Sequence, residues 1–164
     1  MKSENIKKIV ISILILISIF FLDRISKILI LNILEETGQV DIYINSFLNF
    51  YLVWNKGIGF GLLSSDQDLF YNVVTTLIIL INLVIIYLLF KEKGLKYYFL
   101  IIILGGSLGN LFDRIYYRAV PDFVDLNYNG YHWFIFNVAD IFISLGIFCL
   151  IFVELLNYKK IDEN

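Results

Sequence analysis

The chain has 164 residues, of which 59% are hydrophobic and 17% charged, with a formal net charge of −2. Soluble domains carry about 45–50% apolar and about 25% charged residues. One core of this size cannot hide the excess, so lipid is part of the solvent, and disorder and an electrostatically driven nucleic-acid partner are both excluded.

Four apolar runs are long enough to span a bilayer, which takes about 20 helical residues. They cover about 9–31, 69–90, 95–112 and 138–156. In lipid a single segment satisfies its own backbone only as a helix, so each run predicts a transmembrane helix. The expected architecture is an all-α membrane protein, one integral domain over 1–164, with outer loops at about 35–68 and 113–137. Lys2, Lys7 and Lys8 precede the first run in the manner of a signal peptide, but no small-x-small cleavage site follows, and the run reads as a retained anchor. The other clustered lysines are Lys91, Lys93 and Lys96 between the second and third runs, and Lys159 and Lys160 after the fourth. Four spans put all three groups on one side, which by the positive-inside rule is the cytoplasm, with both termini.

The first outer loop alternates loosely from Gln39 to Trp54, which predicts a small antiparallel sheet on the membrane surface. Gly57 to Gly61 then reads as a flexible turn, since it lacks the GK[ST] of a phosphate loop. The second loop holds Tyr116, Tyr117, Phe123, Tyr128, Tyr131, Trp133 and Phe134, and reads as an aromatic loop at headgroup level.

Polar residues gather near the outer ends of three spans: Asp23 with Lys27, then Asn110 with Asp113 and Arg114, then Asn137 with Asp140 and Ser144. Their spacings place each set on one helical face, and ionisable groups at membrane depth turn to the bundle interior or a wet cavity. Plainer readings stand beside this one. Asp23 and Lys27 form an i, i+4 ion pair for packing, and Asp113-Arg114 is a helix-end cap. Asp140 is a first-turn carboxylate favoured by the helix dipole, although Asn137 is better placed to cap and leaves Asp140 spare. Asp122 and Asp125 fall in a loop, where a solvated carboxylate is the ordinary expectation. His132 reads as an interface residue, and Glu154 as reaching the inner headgroups.

His132 and Cys149 are the single histidine and cysteine, so a zinc cluster, a disulfide framework and a Ser-His-Asp set with a histidine to spare are all out of reach. Metal-free chemistry remains. A carboxylate pair sharing a proton is one choice, with several Asp able to supply it. A Ser26–Lys27 dyad is the weaker one, because adjacent helical residues point about 100° apart. A proton- or cation-conducting transporter would spread its ionisable groups along the membrane normal or show an inverted repeat, and here they cluster at one end. A membrane scaffold would not need three polar faces at one level.

Five motifs in order then resemble the lipoprotein signal peptidases (signal peptidase II), a family of four-helix membrane aspartyl proteases. They are Asp23-Arg24-Ile25-Ser26-Lys27, Asn55-Lys56-Gly57-Ile58-Gly59-Phe60-Gly61, the stretch from Gly105 to Arg114, Val120-Pro121-Asp122-Phe123, and Phe136-Asn137-Val138-Ala139-Asp140. The resemblance covers nearly the whole chain. It departs at Gly59, where the family usually has alanine, and at Pro121, where it usually has valine. It implies that Asp122 and Asp140, rather than Asp113 or Asp125, are the catalytic pair. It also implies that Asn55, Asn110, Arg114 and Asn137 hold the substrate backbone or orient the pair, with Asp23, Lys27, Gly57 and Asp113 in support. The implied activity is removal of the signal peptide from prolipoproteins just before a diacylglyceryl-modified cysteine. No metal or cofactor is implied. The expected protein is a monomer in lipid of the bacterial cytoplasmic membrane, with its active site near the outer face and no nucleic-acid partner.

Overall fold

The computed structural model describes residues 2–57, 68–128 and 131–162. The elements run α1 (Lys2–Thr37), β1 (Asp41–Asn45), β2 (Leu48–Asn55), α2 (Asp68–Lys91), α3 (Gly94–Tyr117), β3 (Val120–Tyr128), β4 (Tyr131–Phe136) and α4 (Val138–Asp162). All four helices contain stretches long and apolar enough to cross a membrane.

α1 and α3 run further than the hydropathy of their spans indicates, and α4 likewise continues past 156 to Asp162. α1 continues to Thr37 instead of stopping near Leu31, and α3 continues to Tyr117 instead of stopping at Phe112. The charges against which the third span was expected to end, Asp113 and Arg114, are buried, and Asp23, Arg24 and Lys27 within the first are buried and paired, so neither set interrupts its helix. α1 stops at Gly38, whose φ of 77° is easy for glycine and whose N–H donates to the Leu34 carbonyl at 2.8 Å. α3 stops at Arg118, left-handed at φ 58°, with its N–H on the Arg114 carbonyl.

α3 is the central helix, packed against α1, α2 and α4, whereas α2 and α4 scarcely touch each other. The central position depends on small residues, as close helix packing in membranes commonly does. A Cβ on Gly105 would lie 3.1 Å from Ile19 Cβ of α1, and one on Gly106 would lie 2.6 Å from the Ala139 carbonyl oxygen of α4. Between the helices, Ile85, Leu100, Ile103 and Leu104 form a buried apolar cluster with Leu16 and Ile143 against it. The outward faces stay apolar, as lipid requires; Phe90 and Phe148 are among the exposed large side chains.

The sheet exceeds the expectation. Its four antiparallel strands stand in the order β1-β2-β3-β4, so the hairpin in the first loop is extended by a second hairpin. The aromatic outer segment expected at about 113–137 is present, and it is made of the last turn of α3 followed by β3 and β4. The β2–β3 pairing joins segments separated by two helices, and no local pattern announces it. Pro121, opposite Trp54, lies where β3 is paired on one side only, because β4 reaches no further than Val124. Proline's missing N–H is tolerated at such an edge. Ile30, Val40 and Phe123, with Leu34, Phe50 and Val138 around them, fasten the sheet to the bundle end.

Candidate functional site

The N-terminus of α4 begins the site. Asn137 is its N-cap: the Asp140 N–H donates to Asn137 Oδ1 at 3.1 Å, and the Asn137 N–H donates to Asp140 Oδ2 at 3.2 Å. This reciprocal arrangement is a capping box. Asp140 is therefore not spare, since one of its oxygens serves the cap. Its other oxygen, Oδ1, accepts from Asn110 Nδ2 of α3 at 2.8 Å. The intervening Ala139 N–H is met from another helix, by Asp23 Oδ1 of α1 at 3.0 Å.

Strand β3 delivers the second carboxylate. Asp122 is 2% exposed, and Asp125 is wholly buried, which corrects the expectation of solvated loop carboxylates. Alternation along the strand sends them to different faces. Asp122 Oδ2 accepts from Asn55 Nδ2 at 2.8 Å, and Oδ1 from Asn137 Nδ2 at 2.6 Å. Asp125 instead meets His132 Nδ1 at 2.7 Å, which gives His132 a specific partner on the sheet. Asn137 thus touches both Asp122, through its side chain, and Asp140, through its backbone.

Asn55, Asn110, Arg114, Asp122, Asn137 and Asp140 share the lining of one cavity of about 410 Å³. Its remaining wall is mostly isoleucine from α2, α3 and α4, with Ser107 and Ser144. Burial, and then the nearby Asp140 carboxylate, push the Asp122 carboxyl up to about 7, against the opposing effect of the Asn55 and Asn137 donors. A carboxyl so placed is able to hold or release a proton near neutrality, the property needed for acid–base work.

The Arg114 guanidinium donates to the Gly57 carbonyl and, at 3.5 Å, to that of Lys56, while the Gly57 N–H donates to Asn55 Oδ1 at 2.8 Å. Gly57 therefore joins the site through its backbone. The rest of the glycine motif, Ile58 to Gly61 with its Gly59 departure, lies outside the described residues.

Asp113, Asp23 and Lys27 are absent from the cavity lining. Asp113 turns to α1, where it pairs with Arg24 and, at 2.6 Å, with Lys27. The expectation that Asn110, Asp113 and Arg114 present one common face is corrected accordingly: the arc they span on α3 is wide enough to divide between cavity and helix interface. Ser26 donates to the Asp23 carbonyl at 2.8 Å, and Lys27 is engaged with Asp23, Asp113 and Asn110, so no Ser–Lys dyad forms. Glu154 pairs with Lys96.

Sequence reasoning missed Tyr71, whose hydroxyl donates to the Arg114 carbonyl, and Ser107 in the cavity wall. Tyr71 carries no local signal, and Ser107 is marked only by its place in the Gly105–Arg114 motif. Arg24 was visible as a charge within an apolar run, but its partner on another helix was not.

Residues 15–156 match the family model for signal peptidase (SPase) II. The chain is 50% identical to the lipoprotein signal peptidase of Pelagibacter ubique (strain HTCC1062) over 164 residues, covering 99% of each. It is 39% identical to that of Aquifex aeolicus (strain VF5) over 138 residues, covering 82% of this chain and 80% of the relative. A bacterial membrane enzyme solved by the in meso method at 1.9 Å superposes with a TM-score of 0.68 at 29% identity, covering 88% of this chain and 92% of that one. A second, at 2.3 Å, gives 0.67 at 28% identity, covering 89% and 87%.

Proposed function

This chain belongs to the signal peptidase (SPase) II family, and from that premise we propose that Asp122 and Asp140 together activate the water that hydrolyses its peptide substrate. It is a multi-pass membrane peptidase of the bacterial inner membrane, and its activity is removal of signal peptides from prolipoproteins. The finer reading is cleavage before a diacylglyceryl-cysteine, at the outer face of the membrane, by a monomer that needs no metal. The observation that carries the mechanism is the shared cavity, with Asn137 bonded to both carboxyl groups.

The chemistry follows from that wiring. One carboxylate takes a proton from water as the oxygen attacks the scissile carbonyl carbon. The other, protonated, gives its proton to the carbonyl oxygen. Collapse of the tetrahedral intermediate breaks the C–N bond, and the leaving amine departs with a proton returned by the first carboxyl. Asn55, Asn110 and Arg114 surround the pair and supply hydrogen bonds to hold an extended peptide. Asp23, Lys27 and Asp113 support them from behind, and Gly57 fixes the Arg114 guanidinium.

The apolar walls support the lipid requirement. α2 and α4 both pack on α3 and scarcely on each other. The groove between them is lined by Ile78, Ile81, Ile85, Ile143 and Ile147. Such a surface suits an apolar helix and acyl chains, each buried CH₂ contributing about 0.8 kcal/mol. Remote binding energy of that kind can hold the scissile bond at the reacting groups. The grouping of lysines at the Lys91–Lys96 turn, away from the sheet, supports cytoplasmic termini.

The test is cleavage of one prolipoprotein, with and without its diacylglyceryl group, by wild type, Asp122→Asn and Asp140→Asn in detergent. Both variants lose at least about 1,000-fold in rate while still inserting, since a carboxamide cannot exchange the proton. Near-normal turnover by either variant removes that residue from the mechanism. Equal wild-type rates on the two substrates remove the lipid requirement.

A further inference from the structure

The buried ions behind the cavity reach it through Asn110. Lys27 is fully buried on α1, and its ammonium lies 2.7 Å from Asp23 Oδ2, 2.6 Å from Asp113 Oδ2 and 2.8 Å from Asn110 Oδ1. An ammonium has only donors, so a carboxamide facing it must present its oxygen. That leaves the amide N–H groups of Asn110 on the other side, where Nδ2 donates to Asp140 Oδ1 at 2.8 Å. The chemistry of the neighbours therefore fixes the amide orientation. A flipped amide would set an oxygen against the Asp140 carboxylate and an N–H against a cation. Lys27 acts a second time through Asp23, whose other oxygen accepts the Ala139 N–H beside Asp140. Among the described residues, the hydrogen bonds to the two Asp122 oxygens come from the neutral carboxamides of Asn55 and Asn137, while Arg114 lines the same cavity and its charge bears on both carboxyl groups.

We propose that Lys27 is a positioning residue that acts through Asn110 to make Asp140 the carboxylate that takes the proton from water, leaving Asp122 as the acid. The water O–H bond breaks toward Asp140 while its oxygen bonds to the scissile carbon. Asp122 protonates the carbonyl oxygen. On collapse the amine leaves with the proton held by Asp140, and Asp122 recovers its own from the hydroxyl. This assignment rests on the aspartic-pair reading above and adds an order to it.

The experiment measures kcat, KM and the pH–rate profile of Lys27→Met, Lys27→Arg and Asn110→Ser on a lipidated prolipoprotein in detergent. Lys27→Met lowers kcat about 100-fold with KM near wild type, as expected when a reacting group is misplaced. The acid limb of its kcat profile, which reports release of the proton from the base, moves to higher pH. Lys27→Arg restores most of the rate, because guanidinium keeps the charge and the donors. Since Lys27→Met leaves two buried carboxylates with Arg24 alone, Asn110→Ser serves as the second variant. It retains the ion pairs, melts near the wild-type temperature, and shows the same loss of kcat and displacement of the limb. A fall in rate with the acid limb unmoved in Asn110→Ser, or a rise in KM with kcat unchanged, overturns the positioning role. Turnover by Asp122→Asn or Asp140→Asn sinks the aspartic pair itself. Inactivity of both, with wild-type kcat and limb in the Lys27 and Asn110 variants, sinks only the role of Lys27.

Discussion

Two polar assemblies lie side by side at the sheet end of this bundle, and they are built on opposite rules. Between α1 and α3, two cations (Arg24 and Lys27) meet two carboxylates (Asp23 and Asp113), all buried and in direct contact. Charge is balanced there, and α3 comes close enough that a Cβ on Gly109 would lie 2.6 Å from Asp23 Oδ2. Around the cavity, two carboxylates face each other's field, their direct bonds among the described residues coming from carboxamides and backbone, and the space between the helices stays open. The first assembly is neutralised, and none of its four members lines the cavity. The second is left under-neutralised, and burial together with the neighbouring Asp140 carboxylate holds the Asp122 carboxyl near 7. The same residue type, Asp, is a structural anchor in one place and a proton-handling group in the other because of what touches it.

Breaking the balanced assembly has the larger cost to stability. Asp113→Ala leaves Arg24 and Lys27 buried with only Asp23 between them. Removing one partner of a buried ion pair costs about 3–5 kcal/mol. The variant melts well below wild type in detergent, and a restored carboxylate, Asp113→Glu, recovers part of the loss. A melting temperature unchanged in Asp113→Ala would mean that the network is solvated and that its contrast with the cavity is false.

The under-neutralised assembly shows itself in pH dependence. Unfolded, the Asp122 carboxyl returns to its ordinary value of 3.8; folded, it sits at about 7. Between those values the folded protein holds more of this proton than the unfolded chain, so stability falls as pH rises through the window and the loss is complete above about 7. Each unit is worth about 1.4 kcal/mol, which bounds the effect at a few kcal/mol. Asp122→Asn removes the titration. Its melting temperature, followed from pH 5 to pH 8, declines less steeply than that of wild type. Identical slopes would remove Asp122 from the list of perturbed carboxyls.

The contrast was only partly legible in the sequence. Spans and polar clusters could be read because lipid imposes length and punishes charge. What hydropathy does not show is that Arg24 and Lys27 are neutralised by Asp23 and by Asp113 on another helix, so that this charged turn stays inside one continuous α1. Asp113 was grouped with Asn110 and Arg114 because i, i+3, i+4 spacing marks a face; the structure divides that face between two neighbours. The strand β3 was hidden because its partners are β2, two helices away, and β4, whose aromatics looked like a headgroup belt. Without that strand nothing in the spacing separates Asp122 from Asp125. Resemblance supplied the choice, and the alternation of β3 supplies a physical distinction between them. The Gly105–Gly109 stretch was likewise only a motif until the Cβ positions showed how closely α3 meets its neighbours.

The smallest expected effect is at the opposite end of the bundle. Lys96 and Glu154 join α3 to α4 there as an ion pair, and drawn as contacts they resemble the Lys27–Asp113 pair. Their surroundings differ: the Glu154 side chain is 67% exposed, whereas Lys27 and Asp113 are wholly buried. Water and salt screen an exposed pair, and holding two long side chains together costs entropy that offsets much of the attraction. Lys96 also reaches the interface on an apolar stem, so it can keep its charge in water without Glu154. Glu154→Gln should therefore leave both the melting temperature and the cleavage rate at wild-type values, at low and high salt alike. A clear loss of stability that grows as salt is lowered would show this pair to be shielded from solvent, and would extend to the opposite end of the bundle the rule that operates behind the cavity.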